Sequence, residues 1–416
     1  MAVVLLSIPG LRAQNVVLDT VSMGALYSNE IYYSLPNDEQ GSAPMYNWDM
    51  CFTTSLMDAS IRFNHAKGIT VIKVPNADSS GFASLDTTGI ASWTRLYNSD
   101  TSWNKGALNQ TANSTNPFDF GWGIYDMSTH DVTGDSLYVV RIAPPSLPVS
   151  WVKIFVKKKT STNDYLIRVG TLDNSFDQVY TIPAGTYTTK NFIYVAYQNG
   201  IIDREPASAN WDIVFSRYAT YIPGPGYYNV TGVLQNHGVT VAQAYPVDAA
   251  IVSVTPYLNS FQTNISEIGY DWKYYDMGTN SYLITDSTAY FVKLANGNIW
   301  KMIFTGFDAA TGTIIFSKEL VQTNSIDEIE NEMSSVMVYP NPTANLVTLM
   351  FDSKTSGAVQ CSVYDLCGRE VMNQSMEVGA GFQTHAFNVS SLTNGTYLLN
   401  LTMGSETSVV KLIVNK

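Results

Sequence analysis

The stretch Val336-Met337-Val338-Tyr339-Pro340-Asn341-Pro342 opens the C-terminal segment of this chain, which closes at Lys411-Leu412-Ile413-Val414-Asn415-Lys416. The two prolines fix two φ angles and remove two backbone donors, so a strand must end there. Short apolar runs follow, separated by turn-forming residues such as Asn394-Gly395. Together they predict a small antiparallel β-sandwich of about seven strands, at residues 336–339, 346–351, 359–364, 370–372, 385–389, 397–402 and 408–414.

Four motifs in this segment carry a family resemblance: YPNP at 339–342, VYDLCGREV at 363–371, SLTNGTYLLNL at 391–401 and KLIVNK at 411–416. In this order they resemble the type A C-terminal sorting domain of the type IX secretion system of Bacteroidetes, over residues 336–416. The resemblance implies passage through the periplasm, export across the outer membrane by the type IX machinery, and release or attachment at the cell surface. It identifies as sorting residues Tyr339, Pro340, Asn341, Pro342, Gly368, Gly395, Tyr397 and Lys411. The alternative is an ordinary small β-sandwich appended for binding.

The composition limits the classes of function. A chain of 416 residues predicts two or three domains, and a net charge of −12 argues against nucleic acid as a partner, because phosphate binding needs a basic face. The three cysteines do not build a disulfide framework. Cys361 and Cys367 flank a turn and either pair or stay free.

The N-terminal residues 1–14 resemble the end of a signal peptide, with an apolar run followed by a cleavage site near Ala13 or Gln14. No other run approaches the ~20 apolar residues that span a bilayer. We therefore expect a protein that is not membrane-spanning.

Residues 15–322 predict a mainly antiparallel all-β region, because apolar and polar side chains alternate along its runs. Asn296-Gly297 is the strongest hairpin signal, and residues 235–238 predict a second hairpin turn. Helical character is expected only at residues 89–98, 248–257 and 260–268. Residues 323–335 are acidic and polar and predict a linker. The predicted strands lie at residues 29–35, 68–74, 122–125, 136–142, 151–158, 164–170, 191–197, 230–234, 239–244, 282–285, 289–294, 299–305 and 313–318.

A short piece of sequence occurs twice, as Trp48-Asp49 within residues 46–52 and as Trp211-Asp212 within residues 210–215. Two short matches are weak evidence for a full internal repeat. They are compatible with a division of residues 15–322 into two sub-regions that meet near residue 200. The carboxylates of Asp49 and Asp212 are expected to be strand-end caps or buried hydrogen-bond acceptors.

Several pieces together resemble the HmuY family of extracellular Bacteroidetes proteins: NWDMCF at 47–52, NWDIVFSRY at 210–218, YNVTGVLQNHGV at 228–239, IGYDWKYY at 268–275, AYFVKLANGNIWKMIFTGFD at 289–308 and GTIIFSKE at 312–319. The resemblance implies a secreted or surface-held antiparallel β protein. Known members bind haem, take it from host carriers and pass it to an outer-membrane receptor. Haem is therefore the cofactor, and a host haem carrier and a receptor are the partners, that this resemblance predicts.

Haem iron takes two axial ligands, from His or Met. The candidates ahead of the sorting segment are His65, His130, His237 and Met277. For each histidine the alternative is a solvated loop residue, and for Met277 it is a core or surface methionine. No ligand position of the family can be aligned onto this chain.

No motif for catalysis or for a metal site occurs, such as G-x-S-x-G or H-E-x-x-H, so an enzyme is not predicted. The alternative to haem binding is a surface adhesion or glycan-binding protein that uses its Asn-, Ser-, Thr- and Tyr-rich loops as the contact surface.

Overall fold

The computed structural model describes residues 16–144, 147–197, 199–323, 333–404 and 406–416. Two compact units divide the chain after residue 326. The all-β prediction is confirmed, because short 3₁₀ turns are the only helical elements among the described residues. The signal-peptide prediction at residues 1–14 lies outside the described residues.

The first unit contains 23 strands. They are β1 (Val17–Ser22), β2 (Asn29–Ser34), β3 (Asp38–Pro44), β4 (Met50–Thr53), β5 (Ile61–Phe63), β6 (Ile69–Lys73), β7 (Arg95–Leu96), β8 (Gly123–Tyr125), β9 (Val132–Gly134), β10 (Leu137–Ile142), β11 (Ser150–Lys159), β12 (Asp164–Thr171), β13 (Asp177–Pro183), β14 (Phe192–Ala196), β15 (Gly200–Ile202), β16 (Ile213–Ile222), β17 (Gly226–Gln235), β18 (Thr240–Ala244), β19 (Lys273–Asp276), β20 (Ser281–Ile284), β21 (Ala289–Lys293), β22 (Ile299–Asp308) and β23 (Thr313–Gln322). The 3₁₀ turns are Ala25–Tyr27, His65–Lys67, Ser79–Gly81, Ile90–Ser92, Ala107–Asn109, Ala184–Thr186, Ser208–Asn210 and Thr255–Tyr257.

These strands form two sandwiches. The first sandwich pairs an outer sheet, β18-β21-β22-β23-β1, with an inner sheet, β17-β16-β2-β3. The second pairs an outer sheet built on β6-β10-β11-β12-β13 with an inner sheet, β5-β4-β14-β15. One apolar core fills each sandwich, around Phe215 and Phe316 in the first and around Phe52 and Tyr165 in the second.

The central strands of both inner sheets are buried on both faces. On β2, Ile31 and Tyr33 enter the core of the first sandwich, while Tyr32 on the opposite face packs on Trp211. On β14, Val195 enters the core of the second sandwich, and the alternate residues lie in a different cluster. Side chains alternate across a strand, so a sheet covered on both sides has no polar face. This explains why these strands read as continuous apolar runs.

The two sandwiches have the same topology. The two inner sheets can be aligned strand by strand, and so can the two outer sheets. In this alignment β16 corresponds to β4, β2 to β14, and β1 to β13. The two sandwiches differ in which of the equivalent strands comes first in the sequence. The strands β1–β3 come first in the first sandwich, whereas their counterparts β13–β15 come last in the second. The change of sandwich between β15 and β16 lies near residue 200, and a further change lies between β3 and β4.

Matching hydrogen bonds confirm that Asp49 and Asp212 are strand-end acceptors, of which Asp49 is buried and Asp212 is partly buried. The Asp49 carboxylate accepts the backbone N–H of Tyr197 (2.7 Å), and that of Asp212 accepts the N–H of Leu35 (2.8 Å). The backbone N–H of Asp49 donates to Val195, and that of Asp212 donates to Tyr33. Val195 and Tyr33 are therefore equivalent positions.

An asparagine completes each copy of this arrangement. The side-chain amide of Asn64 donates to the carbonyls of Met45 and Trp48, and that of Asn236 donates to those of Ser208 and Trp211. Each asparagine is followed by a histidine, His65 or His237. The short Trp-Asp match thus belongs to a duplication of the whole sandwich.

A buried ion pair links the two sandwiches. Arg204, which follows β15, pairs with Glu30 on β2, and Ser216 on β16 also donates to Glu30. The guanidinium lies over the rings of Trp48 and Tyr194. Each ionic group therefore has a partner in the dry region between the inner sheets, which buried charges require.

The helix predictions were wrong. Residues 89–98 form one 3₁₀ turn and the short strand β7, in which Leu96 pairs with Val71 at the sheet edge. Residues 248–257 and 260–268 contain a single 3₁₀ turn at Thr255–Tyr257. Gln262 there forms a bridge with Val241, so edge pairing replaces the helical hydrogen bonds.

One predicted hairpin is confirmed and one is wrong. Residues around Asn296-Gly297 connect the paired strands β21 and β22, and Gly297 has φ +80°, which favours glycine. Residues 235–238 connect β17 and β18, but these strands lie in different sheets. A turn between two apolar runs predicts a change of direction, and it does not fix whether the runs pair.

The second unit is a seven-stranded sandwich, as predicted. One sheet is β24-β25-β28 and the other is β27-β26-β29-β30, with a shared core around Leu349, Leu399 and Leu412. The first strand begins at Met333, inside the predicted linker, of which residues 324–332 lie outside the described part. The strands are β24 (Met333–Tyr339), β25 (Leu346–Ser353), β26 (Gly357–Asp365), β27 (Glu370–Val378), β28 (Gly381–Asn388), β29 (Gly395–Met403) and β30 (Glu406–Val414).

We predict that Glu30→Gln lowers the free energy of unfolding of the first unit by ~3–5 kcal/mol, because it leaves the buried Arg204 charge without its partner. Asp177→Asn is the matched control, since it breaks the exposed pair with Arg168 and should cost less than about 1 kcal/mol. Denaturant unfolding of the full chain followed by tryptophan fluorescence measures this, because all 8 tryptophans lie in the first unit. Equal losses in the two variants would contradict the prediction.

Candidate functional site

An open apolar cleft lies in the second sandwich, between its two sheets. Its volume is about 330 Å³, and its lining contains no Asp, Glu, Lys, Arg or His. The floor is formed by buried core residues, and Tyr180 and Ile201 stand partly exposed at the mouth. The lining residues are Met50, Phe52, Ile167, Val169, Tyr180, Thr181, Ile182, Val195, Ala196, Tyr197, Gly200 and Ile201.

Two edge strands flank the cleft. β13 is the last strand of the outer sheet and β15 is the last strand of the inner sheet. The turn from β14 to β15 is held by the bond from Tyr197 N–H to Asp49, and Gly200 with φ +75° completes it. The Tyr197 ring packs edge-on against Phe176 with centroids 5.8 Å apart, next to the start of β13. The Trp-Asp piece thus positions one wall of the cleft.

The same space in the first sandwich is filled. The equivalent of Val195 is Tyr33, whose side chain is 1% exposed. Lys318 on β23 donates to the Tyr33 hydroxyl (2.6 Å) and forms ion pairs with Asp19 on β1 and Asp38 on β3. These contacts tie the two edge strands of the first sandwich together. On β12, the counterpart of β23, the cleft-lining residues are apolar and make no such tie.

A smaller cavity lies between the inner sheets, beside Glu30. Its volume is about 60 Å³, which is room for about two water molecules. Burial raises the pKa of Glu205 in its wall to about 8, although the carboxylate accepts the N–H groups of Asn191 and Phe192. This cavity is too small for an organic ligand and belongs to the packing of the two sandwiches.

His65 lies in a turn, as expected from the sequence, but it is a buried residue and not the solvated loop residue given as the alternative to a haem ligand. Its Nδ1 lies 2.9 Å from the Ile69 carbonyl oxygen, and its Nε2 accepts the N–H of Asn98 (3.1 Å). Burial lowers the pKa of the imidazole to about 4, so the ring is neutral at physiological pH. Both ring nitrogens are engaged, and neither offers a free lone pair to iron.

The other haem-ligand candidates are exposed, and the cleft lining contains none of the four. His130 lies in the turn before β9, with its Nδ1 2.7 Å from the Tyr125 hydroxyl. His237 lies on the β17–β18 connection near Trp103. Met277 is 85% exposed at the tip of the β19–β20 hairpin.

Sequence reasoning missed the cleft because it missed β13. The alternation Gln178-Val179-Tyr180-Thr181-Ile182 was the available signal, since its β-branched and aromatic residues favour a strand. The sequence alone does not show that Val195 occupies the position of Tyr33, so the smaller side chain at residue 195 could not be recognised as an opening.

The predicted sorting residues lie at three places in the second unit. The Asn341 side chain donates to the Lys411 carbonyl (2.7 Å) and accepts the N–H of Ile413 (2.7 Å), so the YPNP motif is bound to β30. The Tyr397 hydroxyl donates to the Thr393 carbonyl close to Gly395. Gly368 lies in the β26–β27 turn with φ +81°.

Three further observations concern cysteines, metals and membranes. Cys361 and Cys367 are free thiols, the first buried and the second exposed. Within the described ranges, no group of three His, Cys, Asp or Glu side chains is arranged to hold a metal ion. Nor does any helix in those ranges have the length and apolar character needed to cross a membrane.

Comparison with known proteins identifies the second unit. The family model for the secretion system C-terminal sorting domain matches residues 337–415. No curated protein gives a significant match. A solved structure of dimeric latent PorU from Porphyromonas gingivalis is similar at 11% identity and a TM-score of 0.19, over 86% of this chain and 31% of that chain, which carries no argument about fold or function. The HmuY resemblance stays a prediction. Residues 337–415 are a C-terminal sorting domain, and the chain is a protein exported by type IX secretion.

Proposed function

We propose that the first unit works outside the cell as a binding protein and that its ligand occupies the apolar cleft of the second sandwich. The observation that carries this proposal is the difference between the two copies of the fold. One copy fills the space with Tyr33 and closes its edges through Lys318, whereas the other leaves the space open. Because the first sandwich fills the equivalent space, the fold itself does not require an opening there. The cleft of the second sandwich is therefore a candidate binding site.

The lining of the cleft defines the ligand chemistry. The walls are aliphatic and aromatic, and the polar side-chain groups among them are tyrosine phenols and the Thr181 hydroxyl. A charged group would lose its hydration there without gaining an ionic partner. The part of the ligand that enters the cleft is therefore apolar and neutral.

The HmuY resemblance implies one particular ligand, haem, which the protein would bind for iron acquisition. His130, His237 and Met277 support it through their accessibility, since each lies at the surface of the first unit. His65 is not among the ligands, because both its ring nitrogens already make hydrogen bonds.

Glycan binding at the cell surface is the second candidate function. Tyr221, Tyr227 and Tyr228 stand exposed on the β16–β17 hairpin, and Tyr97 stacks on Tyr227 with centroids 3.8 Å apart. The counterpart hairpin β4–β5 is much shorter. Exposed tyrosines on an extension are suited to stacking on sugar rings, since each has an apolar body and a polar tip.

Deleting residues 337–415 should abolish appearance of the protein in the medium and on the cell surface and leave it inside the outer membrane. Fractionation and immunoblotting measure this. Cys367→Ser, an exposed change within the same domain, is the control and should be exported normally. Normal export of the deleted form would overturn the role of the domain.

Val195→Tyr should close the cleft, because it introduces the side chain that fills the equivalent space in the first sandwich. We expect 8-anilinonaphthalene-1-sulfonate, whose aromatic rings would enter the cleft while its sulfonate stays in solvent, to bind about tenfold more weakly, or ~1.4 kcal/mol. Val195→Ile is the matched control and should bind the dye like the wild type. Should the tyrosine variant unfold, Ile201→Asp at the mouth provides the same readout. Unchanged dye binding by a folded variant would refute the cleft as the site.

Titration of the exported protein with micromolar haem should shift and sharpen the Soret band of free haem if haem is the ligand. His130→Ala, His237→Ala and Met277→Ala identify the axial ligands by weakening that shift, because iron loses one ligand in the relevant variant. No shift in the wild type would remove haem and leave the cleft proposal unaffected.

A further inference from the structure

The strand β13, at the mouth of the cleft, has an unprotected outer edge. It is the terminal strand of its sheet and pairs with β12 alone among the described residues. Its first five residues are exposed, and Val179 is 48% exposed. We propose that β13 pairs with an extended peptide segment of a partner protein, whose alternate apolar side chains enter the cleft. This inference rests on the proposed function, because it names the ligand class of the same cleft.

Natural edge strands normally carry features that prevent pairing with another chain, such as a lysine, an internal proline or a bulge. Residues 178–182 contain neither lysine nor proline, and the pairing of β13 with β12 runs without a shift in register. Pro183 closes the strand only at its end. The row of backbone groups on the outer side of β13 is therefore available for a further strand.

The alternation of β13 fixes where the side chains of an added strand would point. Tyr180 and Ile182 share one face of β13 and line the cleft. A strand added about 4.8 Å outside β13 places every second side chain on that same face, over the mouth of the cleft. Ile201 on β15 lies on the opposite side of the mouth. Main-chain bonds would provide affinity, and the cleft would select the side chains.

The size of the cleft favours side chains over a whole small molecule. Its 330 Å³ lies at the low end of the range for small-molecule sites, which begins at roughly 300 Å³. The lining carries no charged group that would orient a small ligand. We therefore expect a neutral segment in which every second residue is apolar.

The first sandwich supplies an internal control. Its strand β1 is also a terminal strand, and Leu18 there is 67% exposed. The space behind β1 is occupied by Tyr33 and Lys318, so no pocket receives the side chains of an added strand. Pairing at β1 would gain backbone bonds alone, and we expect it to be much weaker.

The test uses acetylated hexapeptides that alternate threonine with leucine, isoleucine, valine, phenylalanine, tyrosine or tryptophan, added to the full chain. Hydrogen exchange should show protection of residues 178–182 by at least one peptide and no protection of residues 18–21. The same peptide N-methylated at alternate positions should bind at least about tenfold more weakly, because it lacks the donors of one edge. Val195→Tyr should also weaken binding, whereas Val409→Tyr, the same change at an exposed position of the second unit, should not.

Three outcomes would overturn the inference. In the first, dye binding depends on Val195 but no peptide protects β13 from exchange. This outcome removes the peptide as the ligand and leaves the proposed binding function in place. Another is unchanged binding of the N-methylated peptide, which removes the main-chain pairing. The third is a dimer in sedimentation with β13 protected before any peptide is added, which would make a second copy of this chain the occupant.

Discussion

The first unit depends on burying both faces of its two inner sheets. Each inner sheet covers one sandwich core and also packs against the other inner sheet, so the central strands β2, β4, β14 and β16 lose their solvent-facing side over most of their length. The polar groups that remain between the sheets must satisfy each other. Glu30 does this by binding Arg204 from the other sandwich and Ser216 from its own. The pair joins the two sandwiches, because Glu30 lies on β2 of the first and Arg204 follows β15 of the second.

The duplication explains which features are structural and which are free to differ. Both copies keep the tryptophan, the aspartate that accepts a backbone N–H and the asparagine that donates to two carbonyls. Those bonds join the same strand ends and turns of the inner sheet in either copy. The copies differ at Tyr33 and Val195, where one side chain fills the sandwich and the other leaves an opening. At these positions the matching bonds are made by the backbone carbonyls, so the side chains could diverge without loss of the fold.

The sequence predicted the parts of this fold that depend on local chemistry. Seven strands of the C-terminal unit and the Asn296-Gly297 hairpin follow from turn residues and periodicity, which act over a few neighbours. The full repeat could not be recognised, because one copy begins at the strands with which the other ends. The polar loop residue His65 is buried through contacts with Ile69 and Asn98, the second of which is distant in sequence. The cleft is likewise defined by strands that are separated by more than a hundred residues, and no local pattern contains it.

The sorting domain shows how distant motifs form one structural feature. The YPNP motif and the terminal KLIVNK motif lie at the two ends of the domain sequence, yet Asn341 binds the backbone at Lys411 and Ile413. Thr343 continues this contact, donating its N–H to Ile413 and accepting the N–H of Asn415. The side chain of Asn341 acts as a short length of strand where the prolines have removed backbone donors. A domain closed in this way brings both of its ends to one place, so the two motifs present a single surface.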